Sequence, residues 1–364
     1  MRILGVETSC DETAAAVVYD TGNAEHPWAI GSSVIASQVE IHREWGGVVP
    51  ELASRQHVRD ICGVVERAVD DAGIAWRDLG AIAVTQGPGL VGSLLVGVAF
   101  AKSLALTLNV PLVPVHHLVG HIESLFLHHG SLPLPAIVLV VSGGHTCVYV
   151  VSRPGDYRLI GRTRDDAAGE AFDKVAKMLG LTYPGGPVVD RLARKGNAHA
   201  LDFPVARMTH VDRNHPPTSG EPGVPSHRGP GMTDFSFSGV KTAVKRHLSV
   251  RLATLGSDRL PEEEVADICA SFQRAVVNAL LDRTFDAAQR FGARAVGVAG
   301  GVSANSQLRD ETVTRGKAKG LPVFLPTQAL STDNAAMIAA AGLRQFGRGV
   351  IAAPDLNADA SLPL

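Results

Sequence analysis

Two segments of this 364-residue chain repeat one pattern, in which an apolar strand, a polar turn and a second apolar strand follow one another. The segments are Ile3 to Val6, Glu7 to Thr13 and Ala14 to Tyr19, and later Ala136 to Val141, Ser142 to Thr146 and Cys147 to Val151. Apolar, β-rich runs bounded by polar turn residues are typical of β-hairpins. We therefore predict a duplicated architecture with a hairpin in each half, the first with an acidic tip.

Helical patterns and further strands are interleaved with the hairpins. Pro261 and the three glutamates after it predict a helix start, because acidic side chains are favoured at the positive end of the helix dipole. The other predicted elements are a helix over Asp60 to Ala72, strands at Gly80 to Thr85, Arg294 to Ala299 and Pro322 to Leu325, and a last helix from about Asp333 to Phe346. Strands that alternate with helices predict the α/β fold class.

Composition excludes several classes of protein. A length of 364 residues predicts two globular domains, and 45% hydrophobic with 19% charged residues excludes disorder and coiled coil. Lys+Arg 34 against Asp+Glu 36 leaves no overall basic field, so a polyanionic partner would need a local patch or a helper protein. The four cysteines form no C-x-x-C pair, so no disulfide framework or cysteine zinc site is indicated.

The cysteine usage favours a reducing cytoplasm, and the apolar segments predict neither a secretory signal nor a membrane span. Glu7 and Asp11 interrupt the N-terminal apolar residues, which a secretory signal does not tolerate. The longest apolar stretch, Val91 to Val115, holds Lys102 near its middle. We interpret it as a buried helix followed by a strand rather than as a membrane span.

His117 and His121 are spaced i, i+4, which on a helix places both imidazoles on one face within reach of one metal ion. The pair lacks the glutamate that follows the first histidine in zinc proteases, which argues against that class. A third ligand is needed. Asp333 is a plausible carboxylate ligand, and Asp at that place is equally a helix N-cap.

Glycine turns between strands and helices can direct several backbone N–H groups at one anion. Ser142 to Thr146 and Gly300-Gly301 are the two candidates, and an ordinary turn is the alternative for each. Tyr183 to Pro187 is a third glycine turn, with Asp190 one helical turn later. The acid-rich run Asp165 to Lys174 favours a solvated helix start.

Glu7, Asp11 and Glu12 bring three carboxylates to the tip of the first hairpin. Carboxylates in such a turn could receive a proton from an attacking amine or bind an ammonium group. An exposed polar turn without a catalytic role is the favoured alternative.

Seven blocks, taken together and in order, closely resemble one protein family. They are Gly5-Val6-Glu7-Thr8-Ser9-Cys10-Asp11-Glu12-Thr13, the run Gly46 to Arg55, Gly87-Pro88-Gly89-Leu90, His117-x-x-x-His121, Val141 to Thr146, Phe235-Ser236-Phe237-Ser238-Gly239 and the run Ala299 to Asn305. The resemblance is to the TsaD family of tRNA N6-adenosine threonylcarbamoyltransferases, once labelled O-sialoglycoprotein endopeptidases. It extends from residue 1 to about residue 346.

The resemblance implies the actin-like ATPase fold, with two duplicated α/β domains around a nucleotide cleft. It implies transfer of a threonylcarbamoyl group from threonylcarbamoyl-AMP to N6 of adenosine 37 in tRNAs that read codons beginning with A. His117, His121 and Asp333 would hold one metal ion, Fe²⁺ or alternatively Zn²⁺. The implied substrate contacts are Val140, Val141, Ser142, Gly143, Gly144, Asp173, Gly186, Asp190 and Asn305. Asp11 or Glu12 would orient the attacking amine or receive its proton.

The resemblance also suggests partners and domain limits. The implied partners are the tRNA anticodon loop, a paralogous actin-like subunit similar to TsaB, and a P-loop ATPase subunit similar to TsaE. We expect an N-terminal domain over residues 1–130, a C-terminal domain over 131–330, a helix over 331–347 that returns to the first domain, and a flexible tail over 348–364. The segment His210 to Met232 is rich in Pro, Gly, Ser and His and predicts a mobile surface insertion.

Three rival functions make different predictions. A kinase or hydrolase of the same fold would turn over ATP with a small acceptor and would not need the histidine pair. A scaffold subunit gated by ATP would bind nucleotide without modifying tRNA. A protease would cleave glycoprotein.

Overall fold

The computed structural model describes residues 1–208 and 233–364, so the segment His210 to Met232 lies outside the described residues. The strands are β1 (Arg2–Glu7), β2 (Glu12–Asp20), β3 (Trp28–Ser37), β4 (Ala81–Gly87), β5 (Leu112–His116), β6 (Ala136–Val141), β7 (Thr146–Arg153), β8 (Asp156–Arg162), β9 (Ala295–Ala299) and β10 (Val323–Phe324). The helices are α1 (Val39–Arg43), α2 (Pro50–Asp71), α3 (Val91–Leu108), α4 (His117–His129), α5 (Ala168–Met178), α6 (Gly185–Ala193), α7 (Ser238–Leu255), α8 (Glu262–Arg290), α9 (Ser306–Lys319), α10 (Gln328–Ser331) and α11 (Ala335–Gly347).

The chain forms two compact units. Unit 1 consists of Met1–Pro133, Arg153–Tyr157 and Phe324–Leu364, and unit 2 consists of Leu134–Ser152 and Arg158–Val323. The first division therefore falls after Pro133, close to the predicted limit at residue 130. The C-terminal helix α11 belongs to unit 1, although it follows unit 2 in the chain.

Unit 1 is built on a five-stranded sheet in the order β3-β2-β1-β4-β5. β1 and β2 form the predicted hairpin, with Glu7 opposite Ala14, and β1 runs parallel to β4. Side chains alternate between the two faces of a strand, so Ile3 packs with residues of α11 while Leu4 packs with residues of α2 and α3. The sheet of unit 1 is therefore covered on both faces.

Unit 2 repeats this arrangement with a sheet in the order β10-β9-β6-β7-β8. β6 and β7 form an antiparallel hairpin in which Val141 pairs with Thr146, and β6 runs parallel to β9. The predicted duplication of the hairpin is confirmed. α8 begins at Glu262, directly after Pro261, as predicted.

α3 differs from the expected buried helix. One face packs on β4 and α2, but Val91, Leu95 and Leu106 are exposed, Leu106 at 84%. Within the described residues α3 is the helix with the length and apolar composition to cross a membrane. Its Lys102 Nζ donates a hydrogen bond to the Leu356 carbonyl at 3.0 Å. The apolar run therefore reflects a helix in the outer layer with one uncovered face.

The C-terminal tail is attached to unit 1, whereas the sequence suggested a flexible segment. Ala352 N–H donates to the Leu112 carbonyl at 2.7 Å, and Asp359 N–H donates to the Gln86 carbonyl at 2.9 Å. Leu356 packs against the core formed by α2, α3 and the sheet. Backbone pairing and apolar contact hold the segment in place, and composition reveals neither.

α11 lies directly on β1 because of a glycine. A Cβ atom on Gly5 would overlap the Ala335 carbonyl oxygen and lie 2.8 Å from Ala339 N. The absence of that atom lets the helix backbone approach the strand. The residues just before α11 are thereby brought close to the end of β1.

We predict that Gly5→Ala destabilises the protein by about 1–3 kcal/mol, because the added methyl group must displace α11 backbone atoms. Thermal unfolding of the purified variant measures the effect as a lower Tm. Gly47→Ala is the matched control, since a Cβ there meets no atom within 4 Å. Equal Tm values for the two variants would contradict the close approach.

Candidate functional site

The predicted histidine pair lies at the start of α4. β5 ends at His116, and the side chain of this residue caps the helix by accepting a hydrogen bond from Leu118 N–H at 3.2 Å. The following residue, His117, begins the helix, so His117 and His121 occupy successive turns of one face. Their ring centroids are 4.8 Å apart and both side chains are buried.

Asp333 reaches the two imidazoles from the other end of the chain. Its Oδ1 lies 3.6 Å from His117 Nε2 and 3.2 Å from His121 Nε2. The helix-cap role predicted for Asp333 in addition to metal binding is wrong, because Asn334 caps α11 by accepting from Met337 N–H at 3.0 Å. The three candidate ligand atoms lie within 4.8 Å of one another.

This group suits a metal ion. In the part of the chain that the structure describes, neither ring nitrogen of His121 has a hydrogen-bond partner, although the residue is 0% exposed. A buried polar atom without a partner is costly, and a metal ligand bond would satisfy it. Two imidazole nitrogens and one carboxylate oxygen form a donor set used by zinc and by iron, with positions left open.

Glu7, at the end of β1, orients the first histidine. Its Oε2 lies 3.0 Å from His117 Nδ1 and also accepts a hydrogen bond from Thr85 Oγ1 at 2.8 Å, while Oε1 accepts from Ser9 N–H at 2.5 Å. An ionised carboxylate only accepts, so His117 Nδ1 carries a proton, and Nε2, 3.6 Å from Asp333 Oδ1, is the candidate ligand atom of this ring. A carboxylate behind a metal-binding histidine fixes the tautomer and the ring orientation.

The carboxylates dominate the electrostatics of this region. Burial opposes the charged imidazole, but the nearby Asp333 and Glu7 carboxylates raise the pKa of His117 to about 9. Burial likewise opposes ionisation of Glu7, yet attraction to His117 and the hydrogen bond between them lower the pKa of Glu7. The region therefore favours a bound positive charge.

The acidic turn is largely buried, so the favoured alternative of an exposed polar turn is wrong. Asp11 is 7% exposed and Glu12 is half-buried. Burial, followed by the neighbouring Asp11 and Asp333 carboxylates, raises the pKa of Glu12 well above its usual value. Ser9 of the same turn places its Oγ 3.2 Å from His117 Nδ1. The turn and the histidine pair therefore form one region of unit 1.

In unit 2, the turn after β6 is tight and unobstructed. Ser142 N–H donates to the His145 carbonyl at 2.8 Å, and a Cβ on Gly143 or Gly144 would meet no atom within 4 Å. Gly169, in the first turn of α5, donates its N–H to the Ser142 carbonyl at 3.2 Å. The carboxyl end of β6, at Val140 and Val141, therefore lies beside the start of α5.

Gly300 lies at the same end of β6. Its φ is 91°, and a Cβ there would lie 2.5 Å from the Val141 carbonyl oxygen. Both the conformation and the close approach require glycine. The two glycine turns that the sequence singled out are thus neighbours, each beside a helix start.

The remaining predicted residues of unit 2 form two groups. Asp190 Oδ1 accepts from Ser306 Oγ at 2.7 Å and from Gln273 Nε2 at 3.2 Å, and Gln273 Oε1 accepts from Asn305 Nδ2 at 2.7 Å. Sequence reasoning missed Gln273, because an amide in the middle of a long helix carries no spacing signal. The second group contains Asp173, whose Oδ1 accepts a hydrogen bond from Gly185 N–H at 2.7 Å. Gly185 is the residue before the predicted contact Gly186.

The first two acids of the run Asp165 to Lys174, which leads into α5, make contacts beyond those of the predicted solvated helix start. Asp165 Oδ1 accepts from Phe237 N–H at 2.8 Å and from Ser238 N–H at 3.3 Å, at the N-terminus of α7. Asp166 Oδ1 pairs with Lys174 Nζ at 2.8 Å. These carboxylates join α5 and α7.

The fold and the candidate site together indicate an enzyme. The chain has two α/β units of equivalent strand order, a His-His-Asp group with both imidazoles buried beside an acidic turn in one, and glycine turns at helix starts in the other. A candidate metal site next to buried carboxylates is an arrangement that enzyme active sites use.

Comparison with known proteins gives the family. Residues 29–340 match the model of the TsaD family, tRNA N6-adenosine threonylcarbamoyltransferase. Curated proteins of that description are 50% identical in Anaeromyxobacter sp. (strain Fw109-5) over 99% of this chain and 98% of the relative, and 49% identical in Moorella thermoacetica over 100% and 97%. The chain belongs to the TsaD family and is a transferase.

Solved structures agree on the fold. HypF from T. kodakarensis matches with a TM-score of 0.57 at 15% identity, covering 98% of this chain and 49% of that one. The (R)-2-hydroxyglutaryl-CoA dehydratase component A from Acidaminococcus fermentans matches with a TM-score of 0.50 at 14% identity, covering 94% and 96%. The predicted actin-like ATPase fold is confirmed. Identities this low carry the fold alone.

We predict that Glu7→Gln lowers the affinity of the protein for Fe²⁺, Zn²⁺ or Co²⁺ by about 10–100-fold, because the neutral amide no longer holds His117 in its ligating tautomer. Equilibrium dialysis followed by elemental analysis measures this affinity. Glu51→Gln, an exposed change on α2, is the control. Wild-type metal affinity in Glu7→Gln would show that Glu7 does not orient His117.

Proposed function

We propose that this protein transfers a threonylcarbamoyl group from threonylcarbamoyl-AMP to N6 of adenosine 37 in tRNAs that read codons beginning with A. The adenosine amine attacks the carbamoyl carbon, a C–N bond forms, and the bond from that carbon to the phosphate oxygen breaks. AMP leaves with the bonding electron pair. The amine loses one proton, which needs an acceptor.

The observation that carries the proposal is the group of buried His117 and His121 with the partly exposed Asp333, beside the Asp11–Glu12 turn, in a chain of this family. The turn is linked to the group directly, since Glu7 and Ser9 both contact His117 Nδ1. A proton acceptor and a cation site within one buried region are what transfer from a mixed anhydride to a weak amine requires.

We assign His117, His121 and Asp333 as ligands of one metal ion, Fe²⁺ or alternatively Zn²⁺. When bound, such an ion would supply a fixed positive charge and Lewis acidity toward donor oxygens. The protein's own contribution is to hold the ligand atoms in place, through α4 for the imidazoles and, for Asp333, through the adjacent Asn334, which caps α11.

Glu12 is the preferred proton acceptor, with Asp11 beside it. Burial and the neighbouring carboxylates raise the pKa of Glu12 well above its usual value, which makes it a stronger base than an ordinary carboxylate. Asp11 is held by its backbone, since its carbonyl accepts a hydrogen bond from Gln38 N–H at 3.0 Å. The unpaired anticodon loop presents a base edge without melting a duplex.

We assign the nucleotide part of the donor to residues of unit 2. Backbone N–H groups around Val140 to Gly144, next to the start of α5, suit a phosphate that gains negative charge as AMP departs. Asp173, Gly186, Asp190 and Asn305 complete the assignment, and the carboxylate of Asp190 suits ribose hydroxyls.

Helper proteins are part of the proposal. Aromatic residues make up 5% of the chain and the net charge is -2, so stacking and phosphate neutralisation by this chain alone are weak. A paralogous actin-like subunit and a P-loop ATPase would supply RNA contacts and reset the cycle in the cytoplasm. The exposed apolar residues of α3 favour a protein contact over contact with RNA.

The test is reconstitution. The chain and its helpers are incubated with threonine, bicarbonate, ATP, a synthase that makes the donor, and unmodified tRNA, and the digested RNA is analysed by mass spectrometry for threonylcarbamoyladenosine. We expect the modified nucleoside only when the chain is present. ATP turnover on a small acceptor without modified RNA would instead indicate a kinase or hydrolase.

We predict that Glu12→Gln lowers kcat for transfer by about a hundredfold or more, because the amide cannot accept the proton of the amine. Metal content should be unchanged, since Glu12 is outside the ligand group. In the wild-type protein, kcat falls as the pH is lowered and Glu12 becomes protonated, and the variant should lose this acid limb. A variant with wild-type kcat would exclude Glu12 as the acceptor.

A further inference from the structure

A line of buried hydrogen bonds ends at the backbone of the acidic turn. Its members, Gln38, His42 and His57, are at most 1% exposed and belong to neither the metal group nor the predicted substrate contacts. His57 lies on α2, and Gln38 precedes α1. Buried polar side chains are retained at a cost, so their arrangement calls for an explanation.

In this line each group donates to the next, from Val49 N–H to the Cys10 carbonyl. Val49 N–H donates to His42 Nδ1 at 3.3 Å, so His42 Nε2 carries the proton and donates to Gln38 Oε1 at 3.3 Å. The Gln38 amide nitrogen then donates to His57 Nδ1 at 3.3 Å. Finally His57 Nε2 donates to the Cys10 carbonyl at 2.9 Å. Each ring nitrogen in this line has one role, either donor or acceptor.

The carbonyl of Cys10 settles the tautomer of His57. A carbonyl oxygen only accepts, so His57 Nε2 must carry the proton and Nδ1 must accept. Thr13 Oγ1, 2.7 Å from Nδ1, supplies a second donor to it. Burial lowers the pKa of His57 against the opposing influence of the Cys10 hydrogen bond, Glu7, Asp11 and Asp60.

Two successive carbonyls of the acidic turn are held by this line. His57 donates to the Cys10 carbonyl, and the backbone N–H of Gln38 donates to the Asp11 carbonyl at 3.0 Å. The peptide groups on both sides of Asp11 are therefore fixed from α2 and from the end of β3, and the carboxylates of Asp11 and Glu12 are carried by those peptides.

We propose that His57 is a positioning residue, which holds the Asp11–Glu12 turn in the geometry for proton transfer through its hydrogen bond to the Cys10 carbonyl. Gln38 and His42 keep His57 in the donating tautomer. The inference rests on the proposed function of Glu12. A displacement of about 1 Å in a reacting group can cost about a hundredfold in rate, so an anchored turn has a direct kinetic value.

The test compares two substitutions of His57 in the complete chain, assayed with its helpers in the reconstituted transfer reaction. His57→Gln retains an amide N–H that can reach the Cys10 carbonyl, and His57→Leu removes it. We expect His57→Leu to lower kcat about a hundredfold, with KM for threonylcarbamoyl-AMP within about twofold of wild type. The kcat of His57→Gln should be at least about tenfold higher than that of His57→Leu.

Two further measurements separate positioning from a general structural effect. Metal content of His57→Leu should equal that of wild type, because α4 and Asp333 are untouched. Hydrogen exchange should rise in the peptide containing the acidic turn and stay unchanged in α4. Glu66→Gln, an exposed change on α2, is the control and should match wild type throughout.

The inference is overturned if His57→Leu keeps kcat within about threefold of wild type, if His57→Gln gives no rescue, or if exchange in the turn does not change. A wild-type protein that forms no product would refute the proposed function, and hydrogen exchange would still decide whether His57 holds the turn. If His57→Leu does not fold, Gln38→Met, which keeps the backbone hydrogen bond to Asp11, is measured in its place. The same limits then apply to its kcat and to hydrogen exchange in the acidic turn.

Discussion

The hydrogen bond between Glu7 and His117 is the interaction on which the candidate site of unit 1 depends. It joins the end of β1 to the first residue of α4 across 110 positions of sequence, and the carboxylate is wholly buried. A buried charge is tolerated only when it is paired and hydrogen-bonded, and Glu7 meets both conditions through His117, Ser9 and Thr85. The Glu7 side chain therefore orients the His117 imidazole and also accepts a hydrogen bond from Ser9 N–H in the acidic turn.

A second constraint brings the third candidate ligand into place. Asp333 is useful only if α11 lies on the sheet of unit 1, and Gly5 permits the backbone contact that this requires. A partly buried ion pair between Glu123 of α4 and Arg344 of α11, at 2.6 Å, joins the two helices further along, and Tyr157 donates to the same fully buried carboxylate. Loss of one partner of a buried pair is strongly destabilising, so the mutual placement of α4 and α11 is defined. The ligand geometry follows from helix packing, not from local sequence.

The elements could be predicted from the sequence because periodicity reports burial. The β1–β2 and β6–β7 hairpins, the start of α8 and the i, i+4 pair on α4 all follow from local patterns. The errors share a cause as well. The acidic turn was expected to be exposed and the tail flexible, yet both are covered by segments distant in sequence, which a local pattern does not register. His57 and Gln273 were missed because a single polar residue within a helix has no distinctive spacing, and its partners are decided by tertiary contacts.

By itself the sequence determined the α/β class, the duplicated hairpins, the candidate ligands His117, His121 and Asp333, and, through its motifs, the family. These depend on side-chain periodicity and on residue types that only a few chemistries use. The tertiary structure alone decided that Asn334 rather than Asp333 caps α11, that Glu7 stands behind His117, and that His57 holds the acidic turn. Each of these is a contact between residues far apart in the chain, and such contacts exist only after the strands and helices have packed.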